Sequence, residues 1–246
     1  MLYLKDCSKL ETFIFDPMST ISTINKATEE IRDPIENIRT DAQYFLLTKR
    51  SLVQLRHLGI ASCQIMEEIV TKIGSSEENT NDIFPKLKHL QLQYLPSLTR
   101  FCSGSYVEFP SLELLHLEDC SELGVFIFHS KSENVTVGKQ TEETDVQYFL
   151  LDEKVGFPSL ESLMIYDMPK LRTIWHCQLA PGSFRKLKSV RVSGCDSLIN
   201  IFAPSMMGRL NTLYTLVTCQ CKSLQVVFDV GVVLGVEEAY GTLRNQ

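Results

Sequence analysis

The strongest constraint on the fold is a spacing of apolar residues that recurs along the chain. The letters FPSLE occur at 109–113 and again at 157–161, with the related FPKLK at 84–88 and FRKLK at 184–188. Counted from the first Phe, each of these segments carries apolar residues at offsets 0, 3, 6, 8, 11, 14 and 17. The segment that starts at 109 shows the pattern as Phe109, Leu112, Leu115, Leu117, Cys120, Leu123 and Phe126. Such self-similarity indicates a repeat architecture, in which each copy is one structural unit.

The same spacing identifies copies that lack the FPSLE letters. It fits the segments that start at 52 and 210, although polar Thr218 stands at offset 8 of the second. Residues 1–15 fit as a partial repeat. We therefore predict a single array of about seven repeats over 1–246, with starts near 52, 84, 109, 157, 184 and 210. We also expect truncation at both ends, because the array starts within a repeat and shows no recognisable polar cap.

Two polar insertions interrupt the period, at 16–51 and at 129–156. Near its end, each insertion contains a similar octapeptide, TDAQYFLL at 40–47 and TDVQYFLL at 144–151. This similarity favours duplication of a block of repeats. Charged segments of this kind are typical of solvated loops, with docking sites as the alternative. The apolar YFLL letters are predicted to pack back onto the array.

Within each repeat, the pattern L-x-x-L-x-L-x-x-C resembles the leucine-rich repeat, as in LELLHLEDC at 112–120 and LKSVRVSGC at 187–195. Offsets 6 and 8 alternate, as the inward side chains of a short strand must. One repeat cannot bury its apolar side alone, so neighbouring repeats stack. We predict a solenoid with a parallel β-sheet on its concave face. The convex side is predicted to be mostly irregular or 3₁₀ structure, because the repeats lack a long amphipathic run.

Composition sets further limits on the class of protein. A hydrophobic content of 44% suits a folded chain, and a net charge of −6 gives no general reason to bind nucleic acid. No apolar run has the length of a membrane span, and the N-terminal letters do not resemble a signal peptide. Eight cysteines are too sparse for a disulfide scaffold, which favours a reducing compartment. The predicted location is the cytoplasm, with the nucleus as the alternative.

Motifs for catalysis or cofactor binding are absent from the sequence. It contains no phosphate-binding glycine loop, no nucleophile elbow and no zinc-binding H-E-x-x-H. The acidic pairs Glu118 with Asp119 and Glu142 with Glu143 are predicted to be surface groups. We therefore predict no enzymatic activity, no cofactor and no metal. Five cysteines occupy offset 11 and are predicted to be core thiols: Cys7, Cys63, Cys120, Cys195 and Cys221.

The residues that vary from repeat to repeat indicate the functional surface. Offset 7 points away from the core, as do its neighbours at offsets 5, 9 and 10, and these positions form columns across the array. We call this surface the strand face. Aromatic and charged groups on a rigid surface are typical of protein interfaces. The predicted protein-binding residues on the strand face are His89, Gln91, Gln93, Tyr94, His116, Glu118, Asp119, Met164, Tyr166, Asp167 and Arg191.

With the repeats in register, a family resemblance can be stated. FPSLESLMIYDMPKLRTIW at 157–175 and FRKLKSVRVSGCDSLINIF at 184–202 resemble the C-terminal leucine-rich repeats of plant intracellular nucleotide-binding immune receptors, in particular the coiled-coil class. The resemblance implies recognition of a pathogen effector or a guarded host protein, and restraint of the receptor's own nucleotide-binding domain. No residue here corresponds to the coiled coil or the nucleotide-binding switch, so nucleotide binding is not carried over.

Two further hypotheses stand beside this recognition module. One is a generic leucine-rich-repeat scaffold or a substrate receptor of a ubiquitin ligase, which predicts an adaptor-binding helical motif that the N-terminal sequence does not show. The other is an enzyme, for which the sequence contains no supporting site. The expected partner is a protein, without nucleic acid and without a membrane span.

Overall fold

A computed structural model describes residues 1–10, 12–15, 44–46, 52–72, 84–103, 106–128 and 149–230. Short β-strands dominate these residues, and a 3₁₀ helix lies at Pro204–Met206. The strands are β1 Leu2–Lys5, β2 Thr12–Phe15, β3 Tyr44–Leu46, β4 His57–Ala61, β5 Glu68–Lys72, β6 His89–Gln93, β7 Arg100–Ser103, β8 Val107–Glu108, β9 Leu114–Glu118, β10 Ile127–Phe128, β11 Val155–Gly156, β12 Ser162–Tyr166, β13 Ser189–Ser193, β14 Asn200–Phe202, β15 Thr215–Cys219 and β16 Val226–Phe228.

The main sheet contains seven strands in the order β1-β4-β6-β9-β12-β13-β15. All of its pairings are parallel. The order of the strands across the sheet is the same as their order along the chain. The pairing aligns equal offsets, so the residues at offset 7 form one continuous row: Tyr3, Gly59, Gln91, His116, Met164, Arg191 and Val217. A parallel sheet, with almost no helix in the part of the chain that the structure describes, agrees with the predicted leucine-rich-repeat fold.

Five of the seven strands of the main sheet bury alternate side chains, as the spacing of offsets 6 and 8 predicts. The exceptions are β4, which buries four residues in succession, and the edge strand β15, which buries none. On β9, Leu115 and Leu117 are fully buried, whereas His116 and Glu118 are partly exposed. Strands β6 and β12 repeat the same alternation. Because successive side chains of a strand point to opposite faces, one face joins the core and the other forms the strand face.

A column of phenylalanine rings runs through the core at offset 0. The ring centroids of Phe84 and Phe109 lie 6.0 Å apart, and those of Phe109 and Phe157 lie 5.3 Å apart, with the rings stacked in both pairs. At offset 17, Phe101 stacks on Phe126 at 4.8 Å. Full burial of one such side chain stabilises the fold by about 1.5–3 kcal/mol. The repeated FPSLE letters therefore contribute rings that hold neighbouring repeats together.

A left-handed backbone turn ends every strand of the main sheet. All seven residues at offset 10 have a positive φ, and only Gly194 among them is a glycine. The N–H groups of the first six donate to the next strand, as in Tyr94 to the Glu118 carbonyl at 2.8 Å and Asp167 to the Ser193 carbonyl at 2.9 Å. These hydrogen bonds satisfy backbone donors where the chain leaves the sheet. The offset-10 residues are Asp6, Ser62, Tyr94, Asp119, Asp167, Gly194 and Gln220.

The side of the repeats opposite the main sheet differs in part from the prediction of mostly irregular or 3₁₀ structure. Four return segments and β3, which lies in the first insertion, pair into a second parallel sheet, in the order β10-β7-β5-β2-β3. Strands β14 and β16 form another parallel pair, as do β8 and β11. Because stacked repeats bring equivalent backbone segments side by side, their N–H and C=O groups can bond one another without any sequence alternation.

The described end of the second insertion packs into the core. Leu150 and Leu151 are buried, and Leu151 forms a parallel bridge with Trp175. This confirms the predicted packing for these two residues of the YFLL sequence. In the first insertion, β3 joins the second sheet at its edge. Most of both insertions, including Glu142 and Glu143, lies outside the described residues, so the insertion bounds and the repeat count stay predictions.

Candidate protein-binding face

The strand face brings the predicted binding residues onto adjacent strands. His89, Gln91 and Gln93 lie on β6, and His116 and Glu118 lie on β9. The neighbouring strands add Met164 and Tyr166 on β12 and Arg191 on β13, while the left-handed turns after the strands carry Tyr94, Asp119 and Asp167. The apolar residues at offsets 6 and 8 point into the core. The residues that alternate with them along each strand therefore point away from the core.

Glu118 is the centre of a hydrogen-bond cluster on the strand face. Its Oε2 atom accepts from Gln93 Nε2 at 2.6 Å, and its Oε1 atom accepts from the Tyr94 hydroxyl at 2.8 Å. The hydrogen bond to this carboxylate raises the pKa of Tyr94 above its ordinary value. His116 Nε2 lies 3.3 Å from Glu118 Oε2. One carboxylate thus positions side chains from two neighbouring strands.

His116 occupies the middle of the strand face. Its side chain is 15% exposed, and its ring meets the Tyr166 ring edge to face at a centroid distance of 5.4 Å. Burial lowers the pKa of His116, and the nearby Glu118 carboxylate opposes that shift without reversing it. The imidazole is therefore neutral at pH 7 and can accept or donate one hydrogen bond to a partner.

Unpaired charges lie beside this cluster. Arg191 is exposed in the same row as His116 and Met164, and its guanidinium has no hydrogen bond or ion pair within the described ranges. Asp119 and Asp167 follow β9 and β12, and neither carboxylate meets a cation within the same part of the chain. A partner can therefore bind these groups without first breaking an internal salt bridge.

The strand face changes character toward its first strands. At offset 7, the Tyr3 ring fills the space in which a side chain at Gly59 would lie. At offset 5, the rings of His57 and His89 meet edge to face at 4.4 Å, and the pKa of His57 is lowered, chiefly by burial and then by His89. The cluster around Glu118 thus belongs to the middle repeats, whereas ring contacts dominate the first strands.

The column at offset 4 borders the strand face and was not predicted from the sequence. Lys88 pairs with Glu113 at 2.7 Å, and Lys188 pairs with Glu161 at 2.9 Å. In the last described repeat the same column carries Tyr214, whose exposure of 77% is high for an aromatic residue. The column could have been found from the sequence, because each of these residues stands four positions after the start of its repeat.

The cysteines do not form a reactive centre in the described residues. Burial raises the pKa of Cys63, Cys120 and Cys195 to about 12, so these thiols stay protonated at neutral pH. Cys7 is also buried, as predicted for offset 11, whereas Cys221 is partly exposed. The described residues contain no group of three or more His, Cys, Asp or Glu side chains placed to hold a metal ion.

One exposed thiol lies beside a histidine, and its geometry does not suit nucleophilic catalysis. Cys177 Sγ is 3.7 Å from His176 Nδ1 and 3.6 Å from His176 Nε2. Nearly equal distances to both nitrogens place the sulfur across the ring instead of in line with one nitrogen. Activation of a thiol requires a direct hydrogen bond to one ring nitrogen. Glu153, at 3.3 Å from His176 Nδ1, therefore does not complete a catalytic triad.

The parallel ladder of registered short strands defines a repeat protein of the leucine-rich-repeat type. The family described as "Plant disease resistance protein RPS2-like, leucine-rich repeats" matches residues 41–137, 111–222 and 159–239. These matches cover well over half of the chain, so the protein belongs to this family. No curated protein and no solved structure matches the chain. Across the described ranges, no helix combines the length and apolar character needed to cross a bilayer.

Proposed function

We propose that this chain is a non-catalytic protein-recognition module of plant innate immunity. In this role it senses a pathogen effector or a guarded host protein. It also contributes to autoinhibition by contacting the nucleotide-binding domain of a receptor of the coiled-coil class. Its place of action is the cytoplasm, with the nucleus as the alternative. Membership in a plant disease resistance family supports the role in defence, and leucine-rich-repeat domains are typically non-catalytic.

The observation that carries the binding role is the arrangement around Glu118. Tyr94, His116 and Tyr166 lie on three neighbouring repeats, and a single carboxylate contacts the first two of them. Aromatic side chains that are held in place lose little conformational freedom on binding, which is why they are frequent among binding hot spots. The unpaired Arg191 adds a guanidinium that can bind a carboxylate of the partner.

In this proposal, partner binding is coupled to the switch of the receptor by a shift in population. A partner that binds better when the repeats release the nucleotide-binding domain shifts the population toward the released state. The binding partner and the restrained domain then compete, and the coupling between them is reciprocal. In this proposal the strand face of a curved array, on its concave side, is the shared contact surface.

The test compares strand-face variants with matched surface variants in plant extract. His116→Ala, Tyr166→Ala and Arg191→Ala should each reduce capture of the same specific protein, because each removes part of the strand face. Arg185→Ala and Lys170→Ala remove exposed cations outside the strand face and should leave capture unchanged. If all three strand-face variants still capture every specific partner while the surface variants lose that capture, the partner does not bind the strand face and the proposal is wrong.

A further inference from the structure

Two neighbouring repeats place the same kind of basic dipeptide side by side. Arg56 and His57 stand at offsets 4 and 5 of one repeat, and Lys88 and His89 stand at the same offsets of the next. His57 is aligned with His89 in the parallel register of β4 and β6, and their ring centroids lie 4.4 Å apart. Four side chains that carry or can accept a positive charge therefore meet at the start of these strands. We call these four residues the basic quartet.

This arrangement differs from the contacts between later repeats. Lys188 pairs there with Glu161 at 2.9 Å, and Lys222 pairs with Asp196 at 2.7 Å. Each of these contacts joins opposite charges across two repeats, whereas like charges on directly opposed positions destabilise a sheet. Natural proteins keep such exceptions mainly at functional sites. The basic quartet is therefore a candidate site for an anion.

Arg56 supplies the charge that is open to a partner. Its side chain is exposed, and it makes no hydrogen bond or ion pair in the part of the chain that the structure describes. Lys88, by contrast, is already neutralised by Glu113, whose Oε1 atom lies 2.7 Å from the lysine Nζ. Arg56 thus brings an uncompensated charge next to two imidazole rings. This combination suits a monoanion such as a carboxylate.

The two imidazole rings are placed to add hydrogen bonds to such an anion. Both histidines are partly exposed, and their ring nitrogens have no hydrogen-bond partner within the described ranges. Burial lowers the pKa of His57, and the basic groups around it lower that pKa further: His89, the amino group of Met1, Arg56 and Lys88. A bound anion would offset the repulsion among these groups.

We propose that Arg56, His57 and His89 bind a carboxylate of the protein partner, so that an acidic segment of the partner lies over the start of β4 and β6. Arg56 donates two parallel hydrogen bonds to the carboxylate, and an imidazole N–H donates a further one. The inference rests on the proposed function and adds the chemistry of the partner to it. Because the chain has a net charge of −6, general attraction does not account for binding of an acidic segment.

Nuclear magnetic resonance titration of the full chain with an acetylated, amidated tetraglutamate peptide tests the site. The ring signals of His57 and His89 should shift saturably, and the tetraglutamine peptide should leave them unchanged. Arg56→Gln should weaken tetraglutamate binding by roughly tenfold, because it removes a hydrogen bond between charged groups. Arg185→Gln is the matched control, since Arg185 is also exposed but lies in a distant repeat. Equal affinity of wild type and Arg56→Gln would overturn the proposal.

Two further arms test the ligand and the imidazoles. Tetraglutamate should bind more tightly than inorganic phosphate at equal ionic strength, and tighter binding of phosphate would overturn the choice of a carboxylate. A bound anion favours the protonated imidazoles, so tetraglutamate affinity should rise as the pH falls from about 7.5 to about 5.5, where the peptide stays ionised. The double variant His57→Gln, His89→Gln should flatten this rise. A wild-type affinity that does not change with pH would remove the imidazoles from the site.

Capture from plant extract separates failure of this inference from failure of the proposed function. Arg56→Gln should weaken capture of the specific partner, whereas Arg185→Gln should not. If Arg56→Gln captures the partner as well as wild type while His116→Ala and Tyr166→Ala lose it, the strand face binds a protein and the carboxylate site is wrong. If tetraglutamate binds the basic quartet but no strand-face variant affects capture, the anion site stands and the proposed function is wrong.

Discussion

The hydroxyl of Tyr94 donates a hydrogen bond of 2.8 Å to Glu118 Oε1, which connects the turn after β6 to strand β9. Gln93 donates to the other oxygen of the same carboxylate at 2.6 Å. These two residues occupy offsets 9 and 10 of one repeat, while Glu118 occupies offset 9 of the next. The side chains that vary between repeats are thus linked to one another across the strand face.

Replacing Glu118 with Gln should lower the pKa of Tyr94 toward its ordinary value. The hydrogen bond to the carboxylate is the main cause of the raised pKa, because ionising the phenol would remove the donor and place two anions side by side. Absorbance titration of the phenolate, with Tyr94→Phe to assign the signal, measures the change. An unchanged titration in Glu118→Gln would show that the two side chains do not interact in solution.

Gly194→Ala should destabilise the protein by about 1–3 kcal/mol. Residue 194 has a φ of +69°, a region that costs an alanine about 1–2 kcal/mol. The Asp167 carboxylate also occupies the space that a Cβ atom would need. Asp167→Ala should therefore relieve part of the cost in the double variant. Urea unfolding of the four proteins gives the coupling, and a coupling of zero would exclude the predicted clash.

Phe109→Ala should cost about 3–5 kcal/mol of unfolding free energy, because the ring is fully buried between Phe84 and Phe157. Phe128→Ala is a matched control of the same residue type, since Phe128 is 41% exposed. Its contact with Arg100 should contribute less than about 1 kcal/mol. Similar losses for both variants, measured by denaturant unfolding, would rule out a stabilising role for the phenylalanine column.

His116 should make the stability of the protein depend on pH. Its pKa is below 6.5 in the folded chain, so the folded state binds the proton less readily than the unfolded state. Stability should therefore be complete above about pH 6.5, fall as the pH drops toward the lowered value, and level off below it. His57 contributes with the same sign, because its pKa is also lowered.

Two measurements isolate the contribution of His116. His116→Gln should flatten part of the pH profile of urea unfolding between about pH 8 and about pH 5. Glu118→Gln should lower the pKa of His116 further, as seen by nuclear magnetic resonance titration, because the carboxylate opposes the effect of burial. A His116 pKa at or above 6.5 in the wild-type protein would contradict the predicted sign.

The main sheet was predictable because its signal is periodic. Residues at offsets 6 and 8 are apolar in every copy except for Thr218 in the last one, so the strands, their register and the outward direction of His116 and Arg191 follow from counting. The left-handed turn at offset 10 was not predictable in this way. Residues as different as Tyr94, Asp167 and Gly194 occupy it, because stacking of the repeats overrides the preference of each residue for its backbone conformation.

The return strands had no comparable signal. The β7 sequence RFCS buries two adjacent residues, Phe101 and Cys102, so it shows no alternation of apolar and polar residues. Its pairing depends on the parallel alignment of β5 and β10 beside it. The hydrogen bonds around Glu118 also depend on contacts between repeats that stand far apart in sequence. Side-chain chemistry at each column could be listed from the sequence, but these contacts required the structure.

The central claim is that the strand face is where a protein partner binds, and footprinting of the complex tests it most directly. Amide hydrogen exchange should be measured on the chain alone and with a captured partner. Protection should appear in the strands His89–Gln93, Leu114–Glu118 and Ser162–Tyr166 and in the turns that follow them. Protection confined to the return strands, such as Arg100–Ser103 and Val226–Phe228, with none on the strand face, would contradict it.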